Sequence, residues 1–182
     1  KMYIQICEKT FEASGGLSFS TQMIWVAIKE FQLIPCSDLF TKITSDDVIE
    51  IHDLQNKQMF RNLRYFEFCS YTLEDIHCLP WTELYYRPTE DLAKLINFAE
   101  NIIKNPPRNT VACNFGSQFI QEINSEARLS MMNTVKYYSP LFDNSGNMVA
   151  AMAIESPTLV TVAEKNFPRL PAMDTPANVI SF

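Results

Sequence analysis

Five cysteines, two histidines and a few carboxylates are the side chains whose chemistry could go beyond packing. Cys7, Cys36, Cys69, Cys78 and Cys113 are odd in number and widely spaced, with no C-x-x-C pair. A structural metal site needs clustered thiolate and imidazole ligands, and the histidines, His52 and His77, stand apart. Reduced thiols, several of them buried, are the expectation. Glu67, Glu74 and Asp75 lie around a turn and the start of a short helix, where solvated carboxylates favour the positive end of the helix dipole. The only glycine pair, Gly15-Gly16, lacks the Lys-Ser/Thr of a phosphate loop. No Gly-x-Ser-x-Gly elbow occurs. Nothing in these residues specifies an enzyme, and the expectation is a non-catalytic chain.

The elements that would position these groups are readable from composition and periodicity. The chain has 182 residues, of which 47% are apolar and 12% aromatic, enough for a buried core. Its net charge of −6 comes without a Lys/Arg cluster, which argues against direct contact with nucleic acid. No apolar run reaches the length of a membrane span, and no leader peptide is visible, so a cytoplasmic setting is expected.

An amphipathic segment ends at Gly15-Gly16, and a second helix is expected from Ser18 or Ser20, with Ser20 as its cap and Ile24, Ile28 and Phe31 as its stripe. Pro35 is expected to end it, and Asp38–Ile43 to add a further turn. Val48–Leu54 alternates apolar and polar residues and predicts a half-buried strand, followed by a turn at 55–57. Phe60–Phe68 carries helical aromatic spacing, although a strand is also expected near residues 55–60. Thr72 is expected to cap a short helix, and Thr89 to cap the best helix in the sequence, whose apolar face runs from Leu92 to Ile103 before Pro106-Pro107. Strand-like runs follow at 110–115, 119–123, 129–142 and 148–154. Asp143-Asn-Ser-Gly-Asn147 is a hairpin turn with Gly146 able to take positive φ. Order is expected to thin out from Pro157 into an extended, proline-containing linker.

This order resembles a PAS domain, and the motifs agree with it. Asn62 matches the family's Asn. Ser70-Tyr71-Thr72-Leu73-Glu74-Asp75-Ile76 matches Gly-Tyr-Ser-x-Glu-Glu-Leu, with Ser70 in place of Gly. Arg87-Pro88-Thr89-Glu90-Asp91 matches the Pro-Glu-Asp that opens the long helix, and residues 138–151 resemble the closing hairpin. The resemblance covers about residues 45–156. The segment 110–128 is longer than one strand, so an insertion or a bent strand is expected there.

The resemblance implies an α+β fold, a PAS-like antiparallel sheet with helices on one face, here with an N-terminal helical extension. It divides the chain into an extension or cap at 1–44, the sensory domain at 45–156, and a linker at 157–182 to an output domain. It implies a sensory or regulatory module that binds a small molecule or partner and signals onward, with DNA-binding transcriptional regulation of the LuxR type as the expected output. The alternative is a ligand-free dimerisation module. A pocket between sheet and helices would draw on Phe60, Tyr65, Phe68, Trp81, Tyr85, Phe98, Ile102, Val135, Tyr137 and Met152, although these side chains could equally fill the core. No cofactor is identified. Haem is disfavoured because residues 89–104 contain no His to serve as axial ligand, and covalent flavin because the Asn-Cys-Arg-Phe-Leu-Gln run is absent. The helix around Trp25 is the expected homodimer surface.

Overall fold

The Asp143–Asn147 turn folds the two longest strands of the chain against each other, and the rest of the architecture is arranged around that pair. In the computed structural model, residues 1–15 and 20–160 are described. In chain order the elements are helices α1 (Met2–Ser14) and α2 (Ser20–Glu30), strands β1 (Ile34–Pro35), β2 (Val48–Asp53) and β3 (Gln58–Arg61), helices α3 (Leu73–Cys78) and α4 (Trp81–Leu84), strand β4 (Tyr85–Tyr86), helix α5 (Thr89–Lys104), and strands β5 (Val111–Ala112), β6 (Gln118–Glu122), β7 (Ser130–Phe142) and β8 (Met148–Leu159). The main sheet runs β3-β2-β8-β7-β6-β4, all antiparallel, with β1 and β5 also paired to β7. The fold is α+β, as expected. At the hairpin, Asp143 Oδ1 accepts from the backbone N–H groups of Ser145 and Asn147, and Gly146 adopts φ 81°.

Both faces of the sheet are covered, which changes the reading of β2. Ile49 and Ile51 pack with Phe60, Leu141, Met152 and Ile154 beneath Ile6, Met23, Ile24, Ala27 and Ile28 of the N-terminal helices. Residues 1–44 therefore contribute to the main core. The opposite face carries the 3₁₀ turn Leu63–Glu67, α3, α4 and α5, with Val48, Tyr65, Tyr71, Ile76, Leu84, Ile120 and Met131 in one cluster and Ile102, Phe142 and Ala151 in another. Strand β2 is thus buried on both sides, Glu50 included, and the expected half-buried strand is corrected.

Three other expectations need correction. Residues 60–68 are not one helix: β3 ends at Arg61, and Asn62 is extended at φ −77°, ψ 165°. The Asn62 side chain holds that break, since its Oδ1 accepts from Ile49 N–H at 3.0 Å and its Nδ2 donates to the Asp47 carbonyl at 2.8 Å. Helix α5 begins at Thr89, but Pro88 occupies the cap position without a side-chain bond, and its carbonyl accepts from the N–H groups of Asp91 and Leu92. Strand β8 continues past Pro157 to Leu159, where only β7 lies beside it and a proline can be accommodated.

Several expected features are seen. Thr72 and Asp75 form a reciprocal capping box at α3. The 110–128 segment is interrupted: β5 pairs with β7 at Tyr137 and Tyr138, and β6 pairs with it at residues 130–133. Ser18, the Ser20 side chain and residues 161–182 lie outside the described residues.

Candidate functional site

The alternation of β2 that places Ile49 and Ile51 against the N-terminal helices sends Glu50 and His52 to the other face. Strand register brings further polar residues to that side. Arg61 lies opposite Glu50 on β3, Glu155 opposite Val48 on β8, and Asn133 and Gln118 opposite each other on β7 and β6. Tyr65 and Tyr85 enter from the 3₁₀ turn and β4, and Arg87 from the segment before α5. Together they form a polar interior within a hydrophobic sandwich.

Its bonding is incomplete. Arg61, 2% exposed, reaches Glu50 Oε1 through Nη2 at 3.1 Å and lies 3.9 Å above the Tyr65 ring. The hydroxyls of Tyr65 and Tyr85 meet at 2.5 Å, and burial raises the pKa of both phenols. Asn133 Nδ2 donates to Glu155 Oε2 at 3.0 Å. Against these bonds, Arg61 Nε and Nη1, Arg87 Nη1, Gln118 Nε2, Asn133 Oδ1 and His52 Nε2 are buried without a hydrogen-bond partner. His52 Nε2 is 3.7 Å from Glu50, beyond hydrogen-bond reach, and burial pushes the imidazole pKa down to about 4. Burial first, then the nearby Glu50, pushes the Glu155 carboxyl up to about 7. The space enclosed by Val48, Glu50, Tyr65, Tyr85, Arg87 and Glu155 is about 10 Å³, room for one water molecule.

A second buried carboxylate in this half of the molecule is fully satisfied. Glu122 accepts from Ser70 N–H and Oγ–H, Ser125 Oγ–H and Leu129 N–H, at 2.5–2.9 Å. Ser70, at the position where the family pattern has Gly, is thereby tied to β6. The Tyr71 hydroxyl donates to the Leu84 carbonyl and accepts from Ile123 and Asn124 N–H.

The ten side chains named from the sequence do not share one pocket. Tyr65, Phe68 and Tyr85 line the polar interior, with Val135 paired beside Glu155. Trp81 is half-buried near the Arg87 guanidinium. Phe98 and Ile102 belong to the α5 cluster, where Phe98 meets Phe115 and Tyr138 edge-on. Phe60, Tyr137 and Met152 lie on the opposite face, against the N-terminal helices. Glu50, Arg61, Arg87, Asn133 and Glu155 are additions from the structure. For the four on strands, the trace in the sequence is polar residues at alternate positions, which also describes a solvated face; Arg87 stands in the motif that opens α5. Among the described residues, no group of three or more His, Cys, Asp or Glu is placed to hold a metal ion, and no helix is long and apolar enough to cross a membrane.

No protein-family model matches the chain, and no curated protein does. Among solved structures, the chain is similar to the PAS-B domain of Drosophila melanogaster Cycle with bound glycerol, at 14% identity and a TM-score of 0.46, over 61% of this chain and 99% of that one. It is also similar to a PAS domain from Colwellia psychrerythraea, at 16% identity and a TM-score of 0.43, over 60% and 83%. A sensory box sensor histidine kinase from Vibrio cholerae aligns at 11% identity and a TM-score of 0.40, over 68% and 90%.

Proposed function

We propose that this chain is a PAS-type sensory domain whose reading element is the polar interior between the sheet and the 3₁₀–α3–α4 side. The observation that carries this reading is the set of buried, unpartnered polar atoms around Glu50, Arg61, Arg87, Asn133 and Glu155. A core selected for packing alone would replace such groups with apolar ones at no loss of stability. A small molecule bearing acceptor oxygens would complete the unpaired donors; because the closed cavity admits about one water, its entry would require the helices to part from the sheet, and that is how it would favour one packing over another. The output is read as regulatory, with transcription control the favoured form, and the domain itself as non-catalytic. Native mass spectrometry of the chain as purified tests this: a mass excess over 20.9 kDa per subunit that disappears on denaturation identifies a retained ligand. A clean apo mass, with no thermal stabilisation across a library of small oxyanions and carboxylates, would sink the small-molecule form of the reading.

A second reading rests on a different surface. Ile4, Phe11 and Trp25 on the N-terminal helices are 50% or more exposed. A homodimer through these helices is the arrangement they favour. The subunit count in the same spectrum decides it.

A further inference from the structure

We propose that Glu155 is a proton sensor: gain or loss of its proton re-forms the bond to Asn133 and, through a bulge in β7, changes how the N-terminal helices sit on the sheet. This rests on reading the domain as a sensor with its polar interior as the reading element.

The contrast with Glu122 carries the argument. Both carboxylates are buried, at 1% and 8% exposure. Glu122 receives four donors, so its hydrogen-bonding capacity is taken up within the fold. Glu155 receives one, from Asn133. Its own neighbour Glu50 already holds Arg61. The groups facing Glu155 are Glu50 of β2, Arg61 of β3, Asn133 of β7, Arg87, Tyr65 and Tyr85 across the cavity, and Cys113, whose thiol pKa is pushed up to about 12 by burial and then by Glu155. Burial and Glu50 disfavour ionisation of Glu155, while Arg87, Asn133 and Arg61 favour it, and the carboxyl comes to about 7. The cavity has room for about one water, and a proton occupies no volume.

Asn133 can serve both states. Its Nδ2 donates to the ionised carboxylate, and its Oδ1 is buried without a partner. A half-turn of the amide presents Oδ1 to a protonated Glu155 O–H.

A route to the N-terminal helices lies alongside. Glu155 pairs with Val48 on one side and Val135 on the other. The register of β7 shifts between Val135 and Tyr137, leaving Lys136 as the extra residue. Lys136 Nζ bonds both oxygens of Asp47 at 2.8 and 3.0 Å. Asp47 immediately precedes Val48 and also accepts from Thr44 N–H, on the segment that leads back to α2.

The test is a carbon-13 NMR titration of the Glu155 side-chain carboxyl in the full chain, with its signal assigned by its loss in Glu155→Gln. Amide-exchange protection factors in α1 and α2 are then compared at about pH 6 and about pH 8. The expected result is a midpoint near 7 and protection at least roughly threefold lower at the higher pH, with no such difference in Glu155→Gln. Asn133→Ala is the second variant. Removing the donor to the ionised form moves the midpoint upward. A midpoint in the ordinary glutamate range overturns the proposal. So does a midpoint near 7 with pH-independent protection of α1 and α2. A retained organic ligand together with either of those results removes the proton sensor and leaves the sensory reading standing.

Discussion

Asn62 shows how a motif residue can be structural and still specific. One side-chain amide bonds β2 twice, to Ile49 N–H and the Asp47 carbonyl, at a position with no solvent exposure. Asn62→Ala leaves a buried donor and acceptor unpaired and is expected to cost about 1–3 kcal/mol, read as a lower denaturant midpoint with unchanged slope. Glu155 and His52 give opposite pH effects. The Glu155 carboxyl is raised from 4.5 to about 7, so the native state keeps a proton that the unfolded chain has released. Its stabilising effect is complete below about 4.5 and is lost as pH rises through about 7. The stability of Glu155→Gln relative to the natural chain is therefore expected to grow across that window and level above it, measured by chemical denaturation at fixed ionic strength. His52 is lowered from 6.5 to about 4, so its neutral form supports the fold above 6.5, and that support fails as pH falls through about 4. His52→Gln should remove this acid-side loss.

The elements divide according to how local their signals are. The hairpin at 143–147 and the Thr72 cap were legible because a turn and a cap act over a few residues, whereas the cap of α5 was read one residue too late, at Thr89 instead of Pro88. Gly146 tests one such signal. Its φ of 81° is a region that side-chain-bearing residues rarely adopt, and no atom lies within 4 Å of the position a Cβ would take. Gly146→Ala is therefore expected to cost about 1 kcal/mol through backbone strain alone, visible as a lower thermal midpoint with an intact fold. What the sequence did not disclose depended on distant pairing. β3 was expected near residues 55–60, but it is four residues long and the aromatic spacing of 60–68 hid where it ends. The polar interior was hidden for the same reason. Glu50 and His52 alternate with isoleucines as a solvated face would, and only the helices on the other side make that face an inside one. Of the aromatic residues named for the pocket, Phe60, Tyr65 and Tyr85 are buried and Phe68, Trp81, Phe98 and Tyr137 half-buried; which face each joins depends on register, and a shift of one position reverses it.

At the scale of the whole molecule, the N-terminal helices matter most. Their residues share a core with Ile49, Ile51, Met152 and Ile154. Deletion of residues 1–30 is expected to expose that face and yield a chain that aggregates or binds a hydrophobic dye, checked by size-exclusion chromatography and dye fluorescence. Retention of a monomeric, cooperatively unfolding product would show instead that the sheet and its other layer suffice.

The pairing of β2 with β8 also sets an order of assembly. Ile49 sits opposite Ile154, roughly a hundred residues further along the chain. As the polypeptide leaves the ribosome, β2 and the N-terminal helices emerge long before their partner strand exists. Their apolar faces must wait, uncovered, while the hairpin of β7 and β8 is still being made. Loop closure over that distance comes late, so β2 and the helices before it are among the last elements to be secured. Slow synthesis through residues 105–155 would lengthen that exposure, and this is the interval in which the nascent chain has most need of a chaperone.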